Sequence, residues 1–241
     1  MIMDEIMKPV SPPPKTPFSE MKVWLFDLDN TLYPESCQLF DQVDQNITRY
    51  ICENLKLEWD EAHKLQKSFF RHHGTTMRGL MIEHDINPTH FLDFVHDIDL
   101  DSMPKNPVLG RALSCLPGRK IIFTNGSAAH AENIMNKLGI AQYFEAIFDI
   151  VASNYRPKPE PIIYNDIVKR FDIPSLSTVM VEDMARNLKP ANDLGMTCVW
   201  IQSKNQWGQE SSHEDHVHYV VDDLTKWLCK LTNTSDQAPH L

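Results

Sequence analysis

Apolar residues follow two alternating patterns along this chain. Short unbroken runs, Val23-Trp24-Leu25-Phe26, Lys120-Ile121-Ile122-Phe123, Thr178-Val179-Met180-Val181 and Thr197-Cys198-Val199-Trp200-Ile201, are rich in β-branched and aromatic residues. Such runs predict strands buried on both faces. Phe148–Val151 reads as a further short strand and Tyr219-Val220-Val221 as the last. Between the runs the apolar spacing changes to three and four. Ala131, Ile134, Met135 and Leu138 share one helical face that stops at Gly139, and Leu188–Leu194 stops likewise at Gly195. Leu109–Leu116 and Pro161–Phe171 are two more helices. Strand and helix in alternation predict an α/β fold with a doubly wound parallel sheet.

One region breaks the alternation. From Gln38 to about Asn87 the pattern is helical throughout, with Phe40, Val43, Ile47, Tyr50 and Ile51 in register and Leu55, Leu57 and Leu65 extending it. His73-Gly74-Thr75-Thr76-Met77-Arg78-Gly79 interrupts it as a loop or kink. Pro88 marks another helix start, and Phe91, Phe94 and Val95 continue the stripe. The division expected is a core of residues 21–36 and 106–230, a helical insertion at 37–105, and flexible tails at 1–20 and 231–241. Pro9, Pro12, Pro13, Pro14 and Pro17 mark the first tail.

Charge narrows the possible partners. The chain of 241 residues has 23 basic and 33 acidic residues, a net charge of −10, and no Lys/Arg run. Nucleic acid and anionic membranes are therefore not expected partners, although a small anionic substrate can still meet a locally positive site. The 5 cysteines, Cys37, Cys52, Cys115, Cys198 and Cys229, are scattered and never spaced as CxxC. They read as reduced thiols rather than a disulfide frame or a zinc site. No apolar run reaches the roughly 18 residues of a membrane span, and the N-terminus lacks the layout of a secretory leader. The expectation is a cytoplasmic monomer or homodimer.

The candidate chemistry lies where the strands end. Asp27 and Asp29 stand at i and i+2 after the first strand, so strand alternation points both to one side. Two acids at the mouth of a buried strand are costly unless a cation or a reaction needs them. Open α/β sheets bind ligands in that position. The plainer reading makes Asp29 or Thr31 the N-cap of a helix. Thr124 follows the second strand, Lys158 stands in Arg156-Pro157-Lys158-Pro159, and Glu182-Asp183 follows Val181. Taken singly, these are an N-cap, a solvated lysine in a turn and a helix start favoured by the dipole.

In this order the four elements resemble the motifs of the haloacid dehalogenase (HAD) superfamily, over residues of about 21 to 228. The resemblance implies a HAD-like, Rossmann-type core with an inserted α-helical cap. It also implies phosphoryl transfer through an aspartyl-phosphate: Asp27 as nucleophile, Asp29 as general acid and base, and Lys158 as the charge opposing the phosphoryl group. Thr124 would bind the phosphoryl oxygens with the loop residues Asn125 and Gly126. Acids gathered around a phosphate require a cation, and the implied one is Mg2+, held by Asp27, Asp183 and the backbone carbonyl of Asp29. Glu182 is expected as a neighbour of that site rather than a ligand. The chain departs from many members in having Asn187 where they carry a second aspartate; an amide coordinates magnesium poorly, so Asn187 is expected to orient a ligand, water or loop.

The insertion bears on the substrate. His73–Leu80 and Phe91-Leu92-Asp93-Phe94-Val95-His96-Asp97-Ile98 are similar to the pyrimidine 5′-nucleotidase branch, and Glu182-Asp183 followed by Asn187-Leu188 fits it too. That resemblance implies a phosphomonoesterase acting on nucleoside 5′-monophosphates, with Thr75, Thr76 and Arg78 donating to the substrate. The alternative for the insertion is a hinge in which Arg78 pairs with a structural acid. Other readings of the whole are a HAD phosphatase or mutase for a sugar phosphate or phosphoglycolate, and a phospho-accepting signalling domain. A dehalogenase would need no acid at Asp29. His213, His216 and His218 are expected to form a surface approach to the last strand rather than bind metal, since no carboxylate or cysteine completes a ligand set.

Overall fold

The computed structural model describes residues 16–204 and 206–236. Among them β1 (Val23–Phe26), β2 (Arg119–Phe123), β3 (Ala146–Phe148), β4 (Thr178–Glu182), β5 (Thr197–Ile201) and β6 (Tyr219–Val221) form one sheet in the order β3-β2-β1-β4-β5-β6. Every pairing is parallel, as the alternation of strand and helix predicts. β1 is central because none of its residues can face water. Val23 and Leu25 pack into the core on one side of the sheet, and Trp24 and Phe26 into the core on the other.

Helices cover both faces. On the Trp24 side lie α5 (Pro107–Cys115), α6 (Ala128–Leu138) and α10 (Leu224–Thr232). On the Leu25 side lie α7 (Pro161–Phe171) and α8 (Lys189–Asp193); the short α9 (Gln206–Gln209) sits after β5. The helical insertion between β1 and β2 comprises α1 (Leu39–Leu55), α2 (Trp59–His73), α3 (Thr76–His84) and α4 (Pro88–Val95). It has a core of its own, in which Val43, Tyr50, Ile51, Phe69, Leu80, Phe91 and Val95 meet Ile150 from the loop after β3.

Four details differ from the sequence reading. β3 is Ala146–Phe148 rather than Phe148–Val151, because the Asp149 carboxylate takes the backbone N–H groups of Ala128 and Ala152 and turns the chain out of the sheet. Of His73–Gly79 only Gly74 and Thr75 are loop: His73 ends α2, and the Thr75 hydroxyl caps α3 by accepting from Arg78 N. Of the N-terminal tail, Phe18 packs against Trp24, Tyr219 and Trp227; residues 1–15 lie outside the described residues. At the other end α10 continues to Thr232, with 237–241 again outside them. No helix of the described residues is long and apolar enough to cross a membrane.

Candidate active site

Strand register assembles the site. Phe26 pairs with Ile122 on one side and with Val181 on the other, so the residues that follow the three strands emerge together. Asp27 continues the ladder by donating its N–H to Val181 O at 2.9 Å. Asp27, Glu182 and Asp183 are all buried, with carboxylate oxygens within 4.8 Å of one another. The crossing of the chain from β3 to β4 places this cluster at the switch in strand order, where doubly wound sheets bind ligands.

Lys158 enters the cluster from the loop before α7. Its ammonium, 1% exposed, donates to Asp27 Oδ1 at 2.7 Å, Glu182 Oε2 at 2.7 Å and Phe123 O at 2.8 Å. Burial favours the neutral amine, but Asp27 and Glu182 outweigh it and hold the lysine well above its usual pKa. The loop is fixed by the Asn125 side chain, which accepts from Lys158 N at 2.8 Å and donates to Lys158 O at 3.3 Å. Glu182 is fully committed: Oε2 takes Lys158 and Oε1 accepts from Met184 N at 3.1 Å.

One ammonium does not balance these acids. Burial, then the charge of Glu182, push Asp27 up to about 7 against the lowering effect of Lys158. Burial, Glu182 and Asp27 likewise push Asp183 well above the usual carboxylate range. Carboxyls so crowded suit a divalent cation. With Glu182 occupied by Lys158 and Met184, Asp27 and Asp183 are the side chains left to hold one. Asn187, buried next to this strand end, has an Oδ1 without a hydrogen-bond partner among the described residues, while its carbonyl accepts from Tyr164 Oη at 2.5 Å.

Asp29 has a different environment. His130 Nε2 lies 2.8 Å from its Oδ1, and Tyr33 Oη donates to the same oxygen at 2.6 Å. Burial opposes ionisation, but His130 and the two hydrogen bonds hold Asp29 down at about 2. The first two acids of the site are thus pushed in opposite directions, Asp27 towards the protonated carboxyl and Asp29 towards the carboxylate.

The loop after β2 is Thr124-Asn125-Gly126-Ser127. Thr124 Oγ1 accepts from Gly126 N at 2.9 Å, and Ser127 caps α6. A side chain on Gly126 would meet Thr124 Oγ1 at 3.3 Å and His130 at 3.4 Å, so the loop closes tightly around this position.

The insertion touches this rim at three places. Arg78 forms an ion pair with Glu160, two residues beyond Lys158. Phe70 packs edge-on to Trp207, and the guanidinium groups of Arg71 and Arg186 lie over these rings. His96 stacks on His130 and bonds Ser127. Gly74 (φ +83°) sits where a Cβ would come within 2.9 Å of Pro157 Cγ, and Gly79 packs on Phe69, where a Cβ would lie at 2.4 Å. Gly74 therefore serves a close approach, and Gly79 a close helix contact rather than a hinge. A cleft of about 320 Å³ lined by His72, His73, Arg78, Pro157, Pro159 and Glu160 marks the boundary.

The structure thus brings Asp27, Asp29, Thr124, Asn125, Gly126, Lys158 and Asp183 to one end of the sheet. It uses the three expected donors of the insertion otherwise: Thr75 caps α3, Thr76 donates to Gln66 O at 3.1 Å, and Arg78 holds Glu160. Tyr33, His96, His130 and Glu160 are the residues that sequence reasoning missed. Only Tyr33 carried a local signal, at i+4 from Asp29. His216 and His218 are buried rather than at the surface as expected, because His216 Nε2 bonds Ala185 O at 2.9 Å and His218 Nδ1 accepts from Cys198 N at 2.9 Å.

Comparison with known proteins agrees with this geometry. A family model described as "haloacid dehalogenase-like hydrolase" matches residues 21–195. "Phosphate metabolism protein 8" of Saccharomyces cerevisiae is 27% identical over 205 residues, 76% of this chain; the match spans 63% of the yeast protein, under two thirds of its length. Two solved structures share the fold. A HAD phosphatase from Thermococcus onnurineus aligns with a TM-score of 0.58 at 22% identity, over 88% of this chain and 97% of its own. The putative HAD-hydrolase YfnB from Bacillus subtilis, bound to magnesium, aligns with 0.55 at 15% identity, over 89% and 99%.

Proposed function

The chain belongs to the haloacid dehalogenase-like hydrolases, and from that membership we propose a magnesium-dependent phosphomonoesterase that acts on nucleoside 5′-monophosphates, pyrimidine ones preferred, through an aspartyl-phosphate. The observation that carries the phosphomonoesterase is the buried cluster in which Lys158 meets Asp27 Oδ1 while Asp29 is held separately by His130 and Tyr33. A second acid two residues from the nucleophile is superfluous for displacing a halide but is required to protonate a poor alkoxide leaving group.

Each residue has a role in this reading. The Asp27 carboxylate attacks phosphorus, and the bond to the leaving oxygen breaks as Asp29, a carboxylate in the free site, passes to that oxygen a proton brought by the substrate monoanion. Asp29 then takes a proton from the water that attacks the aspartyl-phosphate and frees Asp27. Thr124, whose oxygen accepts from Gly126 N, keeps its hydroxyl hydrogen for a phosphoryl oxygen, beside the backbone N–H of Asn125. Magnesium on Asp27, Asp183 and the carbonyl of Asp29 would neutralise the crowded acids and polarise the phosphoryl oxygens. The helical insertion, residues 37–105, serves as the cap that closes the site over core residues 21–36 and 106–230. Its contacts through Arg78, Phe70 and His96 are those that opening would break. Interdomain movement of this general kind is described for magnesium-bound YfnB.

The nucleotide part rests on resemblance in the insertion, and the yeast relative's name reaches no further than phosphate metabolism. One assay tests both parts: phosphate release from UMP, CMP, AMP, ribose 5-phosphate and phosphoglycolate, with magnesium and with EDTA. Release from the pyrimidine nucleotides that vanishes in EDTA is expected. Preference for a sugar phosphate would move the substrate class and leave the chemistry. Release undiminished in EDTA would overturn the metal requirement.

A further inference from the structure

Resting on the phosphomonoesterase reading above, we propose that Tyr33 and His130 are positioning residues that reserve one oxygen of Asp29, Oδ2, for proton exchange, and that His96 makes their hold depend on the seating of the helical insertion.

The two groups meet the same atom. Tyr33 Oη and His130 Nε2 lie 2.6 and 2.8 Å from Asp29 Oδ1, and both side chains are almost wholly buried. Among the described residues no hydrogen bond reaches Oδ2. A carboxyl group with one oxygen engaged by two fixed donors cannot rotate without abandoning both, so the other oxygen is aimed. The donors come from different places: Tyr33 is four residues beyond Asp29 in the turns that follow β1, whereas His130 is on α6, after the loop that ends β2. Together they fix the group in two directions.

His96, immediately after α4, brings the insertion into this arrangement. Its ring lies 4.2 Å from that of His130 with an interplanar angle of 11°, and its Nδ1 is 3.0 Å from Ser127 Oγ. Ser127 Oγ accepts from His130 N at 3.3 Å, so its own hydrogen is available to His96 Nδ1. One hydroxyl therefore ties the start of α6 to the insertion, and His96 covers the face of the imidazole that holds Asp29. When the insertion swings away, His130 loses its cover and water gains access to the bond to Asp29.

The consequence for the reaction is specific. His130 and Tyr33 favour the Asp29 carboxylate, so the first proton comes from the bound phosphomonoester monoanion to Oδ2. As the bond between phosphorus and the ester oxygen breaks, that proton moves to the ester oxygen and Oδ1 keeps its two donors. As water attacks the aspartyl-phosphate, Oδ2 takes the proton back and the Asp27 oxygen leaves phosphorus. Loss of the positioning residues harms the step that needs an acid and spares a substrate whose leaving group departs unaided.

The test uses the full chain with magnesium and compares the best phosphomonoester from the panel above with p-nitrophenyl phosphate. His130→Ala is expected to lower kcat on the former by about 10–100-fold, part of the usual worth of general acid catalysis, and on the aryl ester by less than about 3-fold, with KM little changed. His130→Gln, whose amide can donate from a similar position, is expected to recover most of the loss and also guards against misfolding of the alanine variant. Tyr33→Phe and His96→Ala are expected to show the same selectivity for the poor leaving group, more weakly. Equal losses on both substrates, no loss, or a glutamine no better than alanine would overturn the proposal. Crystal structures of the wild type and His130→Ala decide the matter independently of activity, even if neither substrate is hydrolysed. An Asp29 carboxyl turned away from its wild-type position sustains the proposal, and one unmoved sinks it.

Discussion

Lys158 and Arg78 are both cations paired with a glutamate, and the two pairs share one stretch of chain, Lys158-Pro159-Glu160. Lys158 reaches inward, is 1% exposed, and satisfies all three of its donors on Asp27, Glu182 and Phe123. Arg78 reaches across from the insertion to Glu160 at the surface, with side chains 28% and 35% exposed. The first pair lies where charges are desolvated and losing a partner is severe; the second lies where water screens and replaces. The difference teaches that the loop before α7 has two tasks. Its inward side sets the charge of the nucleophile, and its outward side fastens the insertion.

Breaking the inward side at the nucleophile should have the largest effect. Asp27→Asn is expected to lower turnover by at least about 1,000-fold, or about 4 kcal/mol in the barrier, because an amide cannot attack phosphorus. Its Tm should stay near that of the wild type, since the substitution also relieves crowding with Glu182 and Asp183. A collapse in Tm would show that the Asp27–Lys158 pair is chiefly structural. Steady-state kinetics and a thermal melt of the same sample separate the two.

Removing the cation comes next. Lys158→Met leaves Asp27, Glu182 and Asp183 buried without their ammonium, and breaking such a pair costs about 3–5 kcal/mol. In a chain of this size that is roughly 6–20 °C in Tm. Added magnesium should restore part of it, because a second cation answers the same acids. A drop of less than about 2 °C would put Lys158 in the same class as Arg78.

The comparison also shows what could be read from the sequence. The inward site was legible because it depends on local order. Apolar runs such as Val23–Phe26 and Thr178–Val181 predict adjacent buried strands, and in parallel register the polar residues that end them must converge. The contacts between residues distant in the chain were not legible in the same way. Glu160 lies 82 residues from Arg78, and Asp29 lies 101 residues from His130. No periodicity links such positions. The hydrogen-bonding groups of Thr75, Thr76 and Arg78 could be counted in the sequence, but not the partners that claim them. Thr75 did carry a sign: a threonine just before a helical run is more often a cap than a ligand-binding group. The third strand was misplaced because Asp149, at the centre of Phe148–Val151, caps the neighbouring turn instead of continuing the ladder.

A milder change tests how the two sides are joined. Asn125→Ala removes both hydrogen bonds that its amide makes to the Lys158 backbone. At about 0.5–1.5 kcal/mol each, the expected cost is about 1–3 kcal/mol in chemical denaturation. Turnover should fall as well, since Lys158 is no longer held against Asp27. Unchanged turnover with lowered stability would separate the loop's anchoring from its chemistry.

The smallest effect is expected on the outward side. Arg78→Ala should cost less than about 1 kcal/mol of stability, as for other partly exposed ion pairs. Its influence on catalysis distinguishes two roles. If Arg78 is a fastening, Glu160→Gln should copy it, since either change breaks the same pair, and both variants should alter kcat/KM by a similar factor for a nucleotide and for a small aryl phosphate. If Arg78 instead leaves Glu160 to bind the substrate when the insertion moves, the outcomes diverge. Arg78→Ala would then lower kcat/KM for the nucleotide alone, by about 1.5–3 kcal/mol, the worth of a hydrogen bond to a charged group. Glu160→Gln would leave it unchanged or raise it, by freeing the guanidinium. The geometry, with Arg78 on Glu160 and Gly74 against Pro157, favours parallel behaviour of the two variants.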